Sequence, residues 1–489
     1  GLGAEMGASL PEGDLMGDVL TGEIGLAVTE FESLMMGGDP SMLIGLGMAD
    51  AEAAGGVVEA MMSGDTTTMT ESTYNDVVIT TDASQSPPMS MAMHEGWLLI
   101  GTGEEMIQSS VDALDGTSPS LAESEDFATA WGRLPASRLG AAYVDLAPFA
   151  SLLDLATMAA GAQTGVAIPS DELAALLPKD MVASLVAERD RLNLEVLVSP
   201  AEGQTNNTQN MRESDIAMSF PADTQVYLEL IDVGSGVQQL LEQAVVMLEA
   251  QEMDAMGGDI GMGTEMGTAE IAMLLGDESP IAMLLGGVAL SEFLEFVGDT
   301  GVGAGLSSDG VWLGIAGDVI DSELANERVN GLMTVLRMFL LSSEDESIGI
   351  ESSEVAGVEV TTITLPADEL LAESGVPLGI GNEIDIALTD DQLLIGLGDF
   401  VENAIIADPA DSLGASAGYT DAIGEDTVNA GVTYVNVSSL LGALDPMLAM
   451  MAPEWEMISP FATGVDRVIL VPTIDDEVSR ARMSVIVGQ

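Results

Sequence analysis

Residues 89–103 read Met-Ser-Met-Ala-Met-His-Glu-Gly-Trp-Leu-Leu-Ile-Gly-Thr-Gly, and residues 384–398 read Ile-Asp-Ile-Ala-Leu-Thr-Asp-Asp-Gln-Leu-Leu-Ile-Gly-Leu-Gly. Each stretch holds two apolar segments of period two around a short polar turn, His94-Glu95-Gly96 in one and Thr389-Asp390-Asp391 in the other. That is the pattern of a β-hairpin. Hairpins join antiparallel neighbours, whereas parallel strands need a long crossover. The expected fold is therefore α+β, mostly antiparallel sheet covered by helices, rather than a doubly wound parallel sheet.

Working outward from the hairpins, further stretches match in the same order. Leu139-Gly-Ala-Ala-Tyr-Val-Asp-Leu146 resembles Ala430-Gly-Val-Thr-Tyr-Val-Asn-Val437, and a helix pattern follows each, Phe149 to Ala160 and Ser438 to Met451. Upstream, Tyr74 to Thr81 corresponds to Val358 to Thr364, Met42 to Gly47 to Val311 to Ala316, and Thr21 to Val28 to Thr300 to Leu306. Agreement in order and spacing points to two tandem units. They are expected at 1–199 and 216–489, with a polar linker at 200–215 that contains Pro200, Gly203 and three asparagines.

The second unit opens with Phe220-Pro-Ala-Asp-Thr-Gln-Val-Tyr-Leu-Glu-Leu230, a turn and an alternating strand. An amphipathic segment follows, Gly236 to Gln251, with Val237, Leu240, Leu241, Ala244, Val245 and Leu248 on one face. The first unit has no counterpart to this opening after Gly1. By comparison of the two copies, about 70–80 residues of the first unit are expected upstream of Gly1. Without that strand the first sheet is expected to carry an unpaired edge, filled by an upstream strand or by another chain. The second unit also contains a Met/Gly-rich insertion at 252–287 with two copies of Ile-Ala-Met-Leu-Leu-Gly. It reads either as short core helix turns or as an adaptable contact surface.

Composition narrows the function. The 489 residues carry 11 basic against 81 acidic side chains, a formal charge of −70. A hydrophobic fraction of 47% sets this chain apart from a disordered acidic tail. With one lysine, Lys179, and ten arginines, a phosphate-binding surface is out of reach, so no nucleic-acid partner is expected. Scattered acids at this density repel one another unless ions screen them, which suits high ionic strength or abundant divalent cations. The absence of cysteine excludes disulfides, thiol nucleophiles and cysteine-ligated metals. No apolar run reaches the length of a membrane span, so any anchor is expected upstream of Gly1.

Catalytic constellations are sparse. His94 is the single histidine, which rules out a histidine triad or a two-imidazole metal site within one chain. Its place in the first hairpin implies an exposed turn residue. The Gly-x-Gly pairs, among them Gly101/Gly103 and Gly396/Gly398, have no P-loop lysine and read as sharp turns. No EF-hand loop is present. The densest acidic cluster, Glu344, Asp345, Glu346, Glu351 and Glu354, is the one candidate calcium site, and no other cofactor is expected. Asn206, in Asn-Asn-Thr, is a candidate glycosylation acceptor in the linker. A carboxylate pair for acid–base hydrolysis is conceivable among so many acids, but the sequence singles out none.

The Pro-Ala-Asp-Thr-x-x-Tyr-Leu opening at 221–228, the Leu-Leu-Ile-Gly-x-Gly hairpins and the Tyr-Val-Asp/Asn strands resemble a bacterial family, domain of unknown function 3352. The resemblance covers nearly the whole chain as two copies, the first incomplete. It implies a secreted or membrane-anchored envelope protein and assigns no catalytic residue. The expected function is that of a non-enzymatic, extracytoplasmic scaffold or binding protein, with other envelope protein chains or further copies of itself as partners. A binding module for a hydrophobic or peptide ligand, and an acid–base hydrolase, are the alternatives.

Overall fold

The computed structural model describes residues 20–29, 40–49, 69–149 without 85, 177–201, 211–237, 287–342 without 308 and 309, 349–364, 382–451 and 462–488 without 476, with scattered positions between them such as Asn206 and Trp455. The chain divides into two compact units.

The first unit is a six-stranded antiparallel sheet. Its strands are β1 (Leu20–Thr29), β2 (Ser41–Met48), β3 (Met69–Tyr74), β4 (Val77–Asp82), β5 (Met89–His94) and β6 (Trp97–Thr102), in the spatial order β1-β2-β6-β5-β4-β3. The β5–β6 hairpin turns on Glu95 and Gly96, both at positive φ (45° and 82°), as a two-residue hairpin turn requires. Helix α1 (Glu104–Leu114) buries Ile107 and Val111 against Val77, Ile79, Ala92 and Leu99 on one face of the sheet. The other face gathers Met48, Leu98 and Ile100 with Met89, Met91 and Met93. Helix α2 (Glu125–Gly132) is capped by the Ser124 hydroxyl, which accepts from the Phe127 N–H.

The second unit is built on a 13-stranded sheet. Its strands are β7 (Gly140–Asp145), β8 (Asp180–Ala187), β9 (Arg191–Val198), β10 (Val226–Leu230), β11 (Val297–Ser307), β12 (Gly310–Val319), β13 (Gly349–Val355), β14 (Val358–Thr364), β15 (Glu383–Leu388), β16 (Gln392–Leu397), β17 (Gly431–Asn436), β18 (Val465–Ile474) and β19 (Ser479–Val487). They lie in the order β13-β14-β15-β16-β12-β11-β10-β17-β18-β19-β9-β8-β7. The block β13-β14-β15-β16-β12-β11 repeats the order β3-β4-β5-β6-β2-β1 of the smaller sheet. Antiparallel sheets with helices on their faces are the α+β architecture expected from the hairpins. The polar segment 200–215 lies between β9 and β10 of one sheet, because β9 pairs with the C-terminal β19 from Arg191↔Ile486 to Val198↔Ser479.

Among the described helices of this unit are α3 (Leu290–Phe293), α4 (Ser322–Ser342), α5 (Phe400–Ile406), α6 (Ala417–Ile423) and α7 (Val437–Met451). Helix α4 packs Ala325, Val329 and Met333 with Phe293, Phe296, Ile363, Ile386 and Leu393. A second core unites Phe220, Tyr227, Trp312, Leu394, Phe400, Tyr419 and Tyr434. Here six aromatic rings form a continuous chain. Phe220 meets Tyr227 at 5.0 Å and Phe400 at 5.1 Å, and Trp312 stacks on Phe400 at 5.5 Å and 18°. Tyr419 links Tyr227 and Tyr434 edge to face. The glycines of β11 make room for these rings: a Cβ on Gly303 would sit 2.5 Å from Phe220, and one on Gly301 3.0 Å from Tyr227. Part of the Gly-x-Gly patterning thus serves close approach of rings to strands, alongside the turns at Gly103 and Gly398 with φ of 78° and 73°.

Candidate functional site

Alternation along Val226-Tyr-Leu-Glu-Leu230 places Tyr227 and Glu229 on the same, inward face of β10. Glu229 is 4% exposed, a charged residue on the aromatic core. Its Oε2 accepts from the Tyr227 hydroxyl at 3.0 Å and from the Tyr419 hydroxyl at 3.3 Å. Burial raises the Glu229 pKa above the ordinary carboxylate value, opposed by hydrogen bonds from Ser214, Tyr227 and Tyr419. Burial, together with the Glu229 carboxyl, pushes the Tyr227 and Tyr419 hydroxyls up, so both remain donors.

A second buried carboxylate, Asp299 at 3% exposure, belongs to β11. The Arg212 guanidinium grips it with two donors, Nε to Oδ2 at 2.7 Å and the second nitrogen to Oδ1. The Asp232 N–H also donates to Asp299 Oδ1 at 3.0 Å. Arg212 is fixed in turn by backbone bonds to Asn429, which precedes β17. The Asp299 carboxylate raises the Arg212 pKa, holding the cation charged. Asp318 on β12 is raised by burial and then by the neighbouring Asp299 charge. The group thus joins carboxylates that resist ionisation, Glu229 and Asp318, to an ion pair of Arg212 and Asp299. Glu229 spends its acceptor oxygen on two tyrosines, and Asp299 is saturated by Arg212 and a backbone donor. Chemically this is a satisfied internal network.

The first unit holds a smaller polar group. His94 ends β5 and is half-buried, with its Nε2 2.8 Å from Asp115 Oδ1 at the end of α1. It is therefore a partnered strand residue, where the sequence implied an exposed turn. Glu95 joins them, and the three ligand atoms lie within 4.8 Å of one another. Beside it, Tyr74 Oη and Asn75 Nδ2 donate to the Asp112 carboxylate.

Of the candidate calcium ligands, Glu344, Asp345 and Glu346 lie outside the described residues. Glu351 and Glu354 are exposed on β13, three positions apart and so on opposite faces of the strand. The Asn206 Nδ2, the atom that glycosylation would modify, donates to the Asp475 carbonyl at 2.9 Å. The Asn436 carboxamide oxygen accepts from the Ser439 N–H at the start of α7. The insertion at 252–287 lies almost wholly outside the described residues.

Sequence reading passed over Glu229, Asp299 and Arg212. A glutamate at an inward position of an alternating strand was an available signal. The partners were not, since Tyr419 is 190 positions from Glu229 and Asp299 is 87 from Arg212.

Comparison with known families agrees with the motifs. The sequence model of the family described as "Protein of unknown function (DUF3352)" matches residues 19–254, from the start of β1 past β10. The match covers just under half of the chain, and over that stretch the sequence is similar to this family. No curated protein and no solved structure matches the chain.

Proposed function

We propose that the protein is a non-enzymatic scaffold or binding protein of the cell envelope, which assembles with other protein chains through an apolar sheet surface. One observation carries this reading. On the face of the larger sheet opposite the aromatic core, Val226, Leu228, Leu230, Val302, Leu313 and Ile315 are each 37–44% exposed. Leu228 pairs with Val302, and Val302 with Ile315, so these side chains run across three adjacent strands. Contiguous open apolar surface of this kind marks interaction sites. The surrounding acidic coat keeps such a surface soluble while ions are scarce and lets chains approach once ions screen it.

The hydrolase alternative would have to draw on Glu229 or Asp318, the carboxylates whose pKa is raised. Glu229 is enclosed and already hydrogen-bonded, which favours a structural role. An extracytoplasmic location and calcium binding at the acidic cluster belong to the same proposal. They rest on the family resemblance and on the charge.

Light scattering coupled to chromatography tests it, run from low salt to molar NaCl and with millimolar calcium. Assembly is expected once charge is screened, and Ile315→Asp is expected to abolish it. A monomer under every condition would overturn the assembly.

A further inference from the structure

We infer that the open edge of β1 is a strand-acceptor site for one extended segment of the β10 type, laid antiparallel along residues 20–29. The proposal rests on the scaffold reading in that it supplies an interaction surface for it, but it concerns a different surface.

The strand orders argue it. In the larger sheet β11 is bonded to β12 on one side and to β10 on the other. In the smaller sheet β1 is bonded to β2, and among the described residues its other edge has no neighbour. Because β3-β4-β5-β6-β2-β1 repeats β13-β14-β15-β16-β12-β11, the vacant side of β1 is the side that β10 occupies on β11. The strand β7, whose counterpart β17 is the other neighbour of β10, is likewise outermost in its own sheet.

Side chains agree with the backbone. Ile24, Leu26 and Val28 alternate along β1 and are 66%, 65% and 44% exposed. This ten-residue edge has no proline, lysine or arginine; its charge, Glu23, and its register shift both lie at the Leu20–Ile24 end, which leaves residues 24–29 regular and open to a further strand. On β11 the same alternation sets Val302, Ala304 and Leu306 on one face and Gly301, Gly303 and Gly305 on the other. The β11 glycines lie under Phe220 and Tyr227, residues of the β10 segment and the turn before it. Gly25 of β1 faces the same way as Gly45, which lies against Trp97 on the helix-covered side. A Cβ on Gly25 would meet nothing within 4 Å. The space over Gly25 is an open slot, and among the described residues no ring fills it. An added strand would gain a ladder of backbone hydrogen bonds on β1, with affinity from the backbone and selectivity from alternate side chains.

The test joins residues 220–232, Phe-Pro-Ala-Asp-Thr-Gln-Val-Tyr-Leu-Glu-Leu-Ile-Asp, to the N-terminus of the 489-residue chain through a flexible Gly/Ser linker. Such a link raises the local concentration to the order of millimolar. Hydrogen–deuterium exchange is read on residues 20–29. Exchange there is expected to slow at least tenfold in the fusion. A fusion whose segment carries Pro in place of Leu228 should show no slowing. Gly25→Val, which suits an exposed strand but closes the slot, should remove most of the protection. Unchanged exchange at 20–29, or equal protection from the proline-bearing segment, overturns the proposal. Light scattering on the same samples separates the two readings: assembly without protection leaves the scaffold standing and refutes the acceptor edge. Protection in a chain that stays monomeric does the reverse.

Discussion

Arg212 holds Asp299 in a two-donor grip, with Nε 2.7 Å from Oδ2, and so fastens the end of the polar linker to a buried position of β11. Asp299 is nearly sealed from water while the arginine side chain keeps 45% of its exposure, so the acid depends on the base more than the reverse. Arg212→Met is expected to destabilise the second unit by about 2–3 kcal/mol, less than for a fully enclosed pair because the cation is half in water. Urea unfolding checks this. Arg212→Met combined with Asp299→Leu should recover most of the loss, since it leaves no unpaired buried charge.

The Glu229 carboxyl gives a pH effect of opposite sign to the usual acid. Its pKa is raised in the fold, so the native state binds the proton more tightly than the unfolded chain does. Its contribution to stability is therefore full below the unfolded carboxylate value and falls as pH rises through the folded one. Glu229→Gln keeps an acceptor oxygen for Tyr227 and Tyr419 and cannot ionise. The variant should gain on the wild type at pH 7, and the gain should vanish near pH 4. Paired urea midpoints at the two pH values measure it.

Gly303 lies under the Phe220 ring, and an added Cβ would sit only 2.5 Å from it. Gly303→Ala should cost about 1–3 kcal/mol through forced movement of the aromatic chain. Gly25→Ala, over open space on β1, should be neutral or stabilise by at most about 1 kcal/mol. The contrast between two glycines in matching strands is read by thermal unfolding of each variant.

With 81 acidic and 11 basic side chains, self-repulsion should dominate the ionic-strength dependence of stability. Raising NaCl from 0.01 M to 1 M shortens the screening length from about 30 Å to about 3 Å. The urea midpoint should rise steadily over that range. Calcium chloride at matched ionic strength should give the same midpoint if screening alone acts, and a higher one if a calcium site exists.

Local pattern carried most of the architecture. Period two in Met89–Gly103 and Ile384–Gly398 set two hairpins that the structure contains as β5–β6 and β15–β16. The Tyr-Val-Asp/Asn stretches became β7 and β17. What local pattern cannot carry is which strand lies beside which at long range. The β9–β19 pairing joins residues almost 300 positions apart, and neither strand names its partner. The polar network was hidden for the same reason: Glu229, Tyr419, Arg212 and Asp299 meet only when the sheet has formed. His94 and Asp115 are closer in sequence, but their contact needs the end of α1 to return over the β5–β6 turn.

The pairing of β9 with β19 also sets an order of events during synthesis. The strand at 191–198 leaves the ribosome about 280 residues before its partner at 479–487. Until then β9 can bond only to β8, and it presents a bare row of amides and carbonyls. So distant a closure makes completion of the larger sheet slow by its contact order and exposed to capture by other nascent strands. A chain cut off before Ser479 would leave that row permanently open.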